Sequence, residues 1–180
     1  MKIKETYNDF TNFIFVGFNT YHVVCDKNGV EMTVDELVER SKFHHRVYFL
    51  GETNNYMPEI TEFAKKIQKN NEKMLIQVYC DGVSFDSKLA RCENVIFIVV
   101  PEMSGKPYEE RIKMDSLKKY AKNEAFFVFA ISSGDDIDRV TSIIAESGIE
   151  AYSVFFMSIE DNIKNSCIEQ AKNIGANVIC

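Results

Sequence analysis

The chain has 180 residues, 46% of them hydrophobic and 27% charged, which suits one globular domain with a substantial core and excludes a disordered chain. A formal net charge of −6 gives no electrostatic footprint for phosphate-backbone binding, so no direct nucleic-acid partner is expected. No apolar run is long enough to span a bilayer, and the five cysteines form no CxxC pair and follow no secretory signal, so reduced thiols in a cytoplasm and no membrane are expected.

In chain order, residues 12–17 are rich in aromatic and β-branched residues and predict a buried first strand. A loop over 17–32 follows, with Asp26-Lys27-Asn28-Gly29 as its turn signal. Thr33-Val34-Asp35-Glu36 is a capping-box pattern that opens a helix to about residue 43, with His44 and His45 at its end. Residues 46–50 predict a second strand, stopped at Gly51-Glu52-Thr53. Pro58 sits where a helix tolerates it, in the first turn, and Ile60, Phe63, Ala64 and Ile67 mark that helix's inner face. Strands are predicted at 73–79 and 94–100, a helix at 108–122, and a strand at 125–131. Ser133 caps a further helix with Ile137, Val140, Ile143 and Ile144 inward, ended by Gly148. A strand at 151–157, a helix from Ser158 to Gly175 and a short strand at 177–180 complete the chain.

This alternation predicts an α/β fold with a parallel sheet and helices outside it. Residues 1–180 read as one domain, without internal repeats or a linker. Right-handed crossovers place the C-terminal ends of all the strands on one side, where parallel α/β folds bind ligands. Adjacent Phe155 and Phe156 must point to opposite faces of their strand, one of them toward the interior.

The strand-end residues carry a resemblance. The spacing Phe18-x3-His22-x2-Cys25 matches Cys-x3-Cys-x2-Cys, and Gly17-Phe18-Asn19 and Cys25-Asp26 keep the frame around it. Glu31-Met32-Thr33-Val34-Asp35-Glu36 opens the first helix. Leu50-Gly51-Glu52-Thr53 stands where a Gly-Gly-Glu-Pro motif would, Tyr79-Cys80-Asp81-Gly82 ends the third strand and Val100-Pro101-Glu102 the fourth. In these respects the chain resembles the 7-carboxy-7-deazaguanine synthases, small radical S-adenosylmethionine (SAM) enzymes, over most of its length. The resemblance implies a radical-SAM-like partial parallel (β/α) barrel of about six strands. It implies SAM binding through Gly51, Glu52 and Thr53, with Glu52 accepting from the ligand's ammonium group. It also places a 4Fe–4S cluster at 18, 22 and 25, where one thiol of three remains. His22 and Cys25 are then the candidate metal ligands, Phe18 cannot ligate iron, and imidazole replaces thiolate in some iron–sulfur centres. Lys27 and Glu102 depart from the family's threonine and lysine at those places.

Each candidate has a plain structural alternative. Cys25 and His22 are also read as remnants in a loop, and zinc would need two further ligands among such residues as Asp26, Cys80 and Asp81. Glu52 also suits an exposed turn before a helix. Cys80 reads as a small buried residue rather than a nucleophile. His44 and His45 read as solvated helix-end histidines, and Ser132-Ser133-Gly134 as an ordinary cap rather than a phosphate cradle.

The expectation is a non-catalytic radical-SAM-like protein that binds a small-molecule ligand or a partner. No 4Fe–4S cluster is expected, and SAM is retained as a candidate ligand. Two alternatives stay open: a divergent SAM-dependent carbon–nitrogen lyase with an atypical cluster, and a homodimeric module, since a partial barrel leaves strand edges to cover.

Overall fold

A computed structural model describes residues 1–9, 20–70, 73–104 and 107–179. The expected first strand at 12–17 and Phe18 lie outside the described residues. Among those described there are nine strands and six helices, and the chain divides into two compact units. No helix in them is long and apolar enough to cross a membrane.

The first unit comprises Met1–Cys80 and Asp86–Ile96. Its strands are β1 (Lys2–Asp9), β2 (Thr20–Cys25), β3 (Val30–Glu31), β4 (Arg46–Gly51) and β5 (Leu75–Cys80), in the order β3-β1-β2-β4-β5. β1 runs antiparallel to both β2 and β3, whereas β2, β4 and β5 are mutually parallel. The start of β6 (Val95–Val99) also belongs here, and Ile76 N–H donates to the Asn94 carbonyl at 2.8 Å.

Helices α1 (Val34–Ser41) and α2 (Met57–Asn70) provide the partners for one sheet face. The predicted capping box is formed: Thr33 accepts from Glu36 N–H, and the Glu36 carboxylate accepts from Thr33 N–H. Residues at alternate positions of the strands, Val23, Val47, Phe49, Ile76 and Val78, are fully buried, as are Leu37, Ile60 and Ala64 of the helices. Phe49 meets Phe63 edge-on at 5.3 Å. Each such large side chain contributes about 1.5–3 kcal/mol by leaving water.

The second unit comprises Asp81–Phe85 and Phe97–Cys180. Its strands run in the order β6-β7-β8-β9, where β7 is Phe126–Ile131, β8 Val154–Ser158 and β9 Asn177–Ile179, and each pairs with its neighbour in parallel. Its helices are α3 (Tyr108–Arg111), α4 (Met114–Ala121), α5 (Gly134–Ser147) and α6 (Lys164–Ile174). Phe85, Phe97 and Tyr120 form an aromatic cluster with centroids 4.9–6.3 Å apart. Gly82 (φ +77°) passes beneath Val99 and Leu117, where a β-carbon would approach to 2.7 and 2.9 Å. Phe156 is fully buried, while Phe155 lies on the other face, half-buried against Phe126 at 6.0 Å.

Several boundaries differ from the sequence expectation. The 17–32 segment is not all loop: 20–25 is a parallel strand, because Val23 and Cys25 alternate inward in register with β4. β1 was not foreseen. The 108–122 helix is two, broken where Ile112 turns extended (φ −109°, ψ 108°). The last helix starts at Lys164, after a 3-10 turn at Asp161–Ile163.

Candidate functional site

The parallel strands β2, β4 and β5 end at Cys25, Gly51 and Cys80. Two glycines set the backbone there. Gly51 has φ +76°, and a β-carbon on it would stand 2.4 Å from the Cys25 carbonyl oxygen. That oxygen instead accepts from Glu52 N–H at 2.9 Å. A β-carbon on Gly29 would meet the Ile3 backbone at 2.4 Å. The strand ends are therefore held at distances that only glycine permits at these positions.

The segment after β2 is a closed turn of four residues, Asp26–Gly29. Gly29 N–H donates to the Asp26 carbonyl at 2.9 Å, and Asn28 N–H donates to Asp26 Oδ1 at 2.7 Å. It contains no cysteine or histidine. The candidate ligands His22 and Cys25 lie within β2, not in a loop. They are three residues apart on an extended strand, so their side chains point to opposite faces and do not converge on one ion. The Cys25 thiol is buried on the helix-facing side, and burial pushes its pKa up to about 12. His22 is on the other face, its ring edge-on to Tyr48 at 5.1 Å. Among the described residues no group of three or more His, Cys, Asp or Glu is arranged to hold a metal ion.

Gly51, Glu52 and Thr53 come together at the end of β4, as the sequence indicated. The Glu52 carboxylate accepts from Lys27 N–H at 2.8 Å and from the Asn55 amide at 3.5 Å, with Lys27 Nζ 3.9 Å away. Its side chain is 39% exposed. Lys27 is thus the partner of Glu52 across the strand ends. Thr53 is buried, and its hydroxyl donates to the Tyr79 carbonyl at 2.5 Å, joining this loop to β5.

The remaining candidates separate. Cys80 is buried at the end of β5. Asp81 Oδ1 accepts from Val83 N–H at 2.8 Å, which shapes the next turn. The α5 N-terminus is occupied by its own carboxylate: Asp136 Oδ2 accepts from Ser132 N–H and Oγ at 3.0 and 2.7 Å. Burial pushes the Asp136 carboxyl up, but these bonds and those from Ser133 outweigh it and hold it below the usual range. His45 is exposed, whereas His44, expected to be solvated, is buried, with Nδ1 3.3 Å from the Ser41 carbonyl and its ring 5.1 Å from Tyr21.

Sequence reasoning missed one group. On the face of β2, β4 and β5 that carries His22, the buried residues are polar: Thr20 pairs with Arg46, and His22 aligns with Tyr48 and Gln77. Polar residues recurring at every second position of otherwise apolar strands are the signal that would have revealed them.

No protein-family model matches the chain, and no curated protein matches its sequence. Solved structures of Streptococcus suis SuiB, a radical SAM enzyme, do resemble it. The SAM-bound SuiB structure has a TM-score of 0.57 at 10% identity, covering 86% of this chain and 42% of SuiB. A second SuiB crystal structure gives 0.57 at 9% identity, covering 85% and 44%. SuiB bound to the precursor peptide SuiA gives 0.58 at 9% identity, covering 85% and 43%. The chain thus spans less than half the length of SuiB. At this identity the likeness shows the fold alone: the architecture is α/β and radical-SAM-like, with a largely parallel sheet.

Proposed function

We propose that this chain is a radical-SAM-like binding protein, related to the 7-carboxy-7-deazaguanine synthases, that acts by holding a ligand or partner rather than by radical chemistry. The observation that carries this is the end of β2. Thiolate is the form that ligates iron, and Cys25 is a buried thiol with its pKa pushed up to about 12. His22 points to the opposite face, and the following turn, Asp26–Gly29, offers no sulfur or imidazole. Among the described residues, those at the end of β2 do not fit a 4Fe–4S cluster.

Glu52 is the candidate for an amine-bearing ligand such as SAM, with Gly51 and Thr53 shaping the loop around it. Its carboxylate oxygens are fixed by Lys27 N–H and Asn55, which orients them without using all their lone pairs. That the SuiB fold has been crystallised with SAM supports the reading.

Anaerobic, iron-replete purification with iron and sulfide analysis tests the first part, with less than about 0.1 iron per chain expected. A stoichiometric cluster, with SAM cleaved on reduction, would sink it. Calorimetric titration with SAM tests the second: saturable binding, weakened about tenfold in Glu52→Gln, is expected. Unchanged affinity in that variant would remove Glu52 from the site.

A homodimer is favoured by one further observation. β3 pairs only with Lys2 and Ile3 of β1, so among the described strands β1 beyond Ile3 is paired on one side only, an edge that another strand can extend. Light scattering that shows monomer at every concentration would exclude this.

A further inference from the structure

At the ends of β2 and β4 we infer a subsite for the head of a free α-amino acid, with Glu52 taking its ammonium and Lys27 its carboxylate. This deepens the proposed function and rests on its reading that Glu52 receives an amine-bearing ligand. The two oxygens of Glu52 differ. Oε2 accepts from Lys27 N–H at 2.8 Å and from the Asn55 amide at 3.5 Å. Oε1 accepts no hydrogen bond from the described residues, and Lys27 Nζ stands 3.9 Å from it. That is beyond hydrogen-bond distance, and a pair with side chains 72% and 39% exposed contributes little to stability. The backbone, not this ion pair, sets the placement. Cys25 pairs in register with Gly51, and its carbonyl accepts from Glu52 N–H at 2.9 Å. Asp26 Oδ1 accepts from Asn28 N–H at 2.7 Å and fixes the turn that carries Lys27. Lys27 and Glu52 therefore stay side by side when a ligand takes up both charges.

The pairing of charges selects the ligand. One anion and one cation 3.9 Å apart complement a molecule that carries the same two charges close together in the opposite order. An α-amino acid does so, with its ammonium and carboxylate on one carbon. The ligand's ammonium donates to Glu52 Oε1. The Lys27 ammonium, with three donors, meets the ligand's carboxylate in charge-assisted hydrogen bonds. A plain amine satisfies Glu52 but is repelled by Lys27, and a plain carboxylate satisfies Lys27 but is repelled by Glu52. Like charges brought together in this way discriminate against the wrong ligand.

The test titrates two probes into the full chain by calorimetry: L-methionine, and its primary amide, which keeps the ammonium but lacks the carboxylate. At about pH 6 the free α-amino group of each probe is protonated. Methionine should saturate in about the millimolar range, and the amide should bind about tenfold more weakly. Lys27→Met should weaken methionine about tenfold and leave the amide no weaker, because the Lys27 N–H that orients Glu52 belongs to the backbone and stays. Glu52→Gln should weaken both probes. If Glu52→Gln does not fold, the comparison of the two probes in Lys27→Met decides. Wild-type affinity for methionine in Lys27→Met, an equal loss for the amide in that variant, or no saturation by methionine would overturn the inference. SAM bound through Glu52 but indifferent to Lys27→Met would also overturn it, and would leave the proposed function standing. Methionine bound with both dependences, and SAM not bound, would keep this subsite and remove SAM as the ligand.

Discussion

Cys25 shows how one residue's surroundings set its chemistry. Its thiol is raised from 9.0 to about 12, chiefly by burial. Tyr79 is raised from 10.0 to about 12 by burial and by nearby Tyr48. In both cases the folded pKa lies above the unfolded value. The stability they contribute is therefore fully present below about pH 9 and is lost as pH rises toward about 12. The melting temperature should fall between about pH 8 and pH 10.5, with a shallower fall in Cys25→Ala. Native Cys25 should also resist alkylation at neutral pH, since the reactive species is the thiolate. A pH-independent melting temperature would contradict this account. Gly51→Ala tests the strand-end geometry: a positive φ and a 2.4 Å approach to the Cys25 carbonyl should cost about 2 kcal/mol or more in urea unfolding.

The helices state their boundaries in residues that do two jobs. Thr33 accepts from Glu36 N–H, while its own N–H and hydroxyl both donate to the Glu36 carboxylate. Hydrogen bonds from Thr33, its backbone N–H first, hold the Glu36 pKa below the usual value. Thr33→Ala should cost about 1 kcal/mol, read as a shift in the urea midpoint without a change in slope. At the start of α5, Asp136 has a lowered pKa, so its stabilising contribution is present above the unfolded value near 3.8 and is lost as pH falls below it. Asp136→Asn should therefore destabilise the protein at pH 7 and flatten its loss of stability in acid. If the two proteins lose stability in parallel down to about pH 3, the cap is not the cause.

At the scale of the whole chain, the course of the backbone matters more than any single contact. It leaves the first unit after Cys80, returns at Asp86 and leaves again after Ile96. The short segment Asp81–Phe85 is therefore integral to the second unit. Tyr120 donates to the Ser84 carbonyl at 2.6 Å, Ser116 donates to the Val83 carbonyl at 3.0 Å, and Phe85 packs edge-on to Tyr120. A fragment of residues 97–180 lacks all three partners and should show no cooperative thermal transition by circular dichroism. In the full chain, Phe85→Ala should cost about 3 kcal/mol. A fragment that melts cooperatively would show that Asp81–Phe85 is dispensable.

Local chemistry determined a good part of this protein from sequence alone. Turn residues, caps and apolar periodicity placed β4 to β8, α1, α2 and α5 to within a few residues, and put Gly51-Glu52-Thr53, Cys80-Asp81-Gly82 and Val100-Pro101-Glu102 at strand ends, because each of these signals acts over only a few residues. Register and face were decided only in the tertiary structure. Whether Tyr21–Cys25 is loop or strand depends on pairing with β4, and that pairing sends His22 and Cys25 to opposite sides. The partnership of Glu52 with Lys27, and the alignment of His22 with Tyr48 and Gln77, join residues 25 or more apart in sequence. Spacing along a chain shows which residues are near one another in order; only the pairing of strands decides which side chains meet.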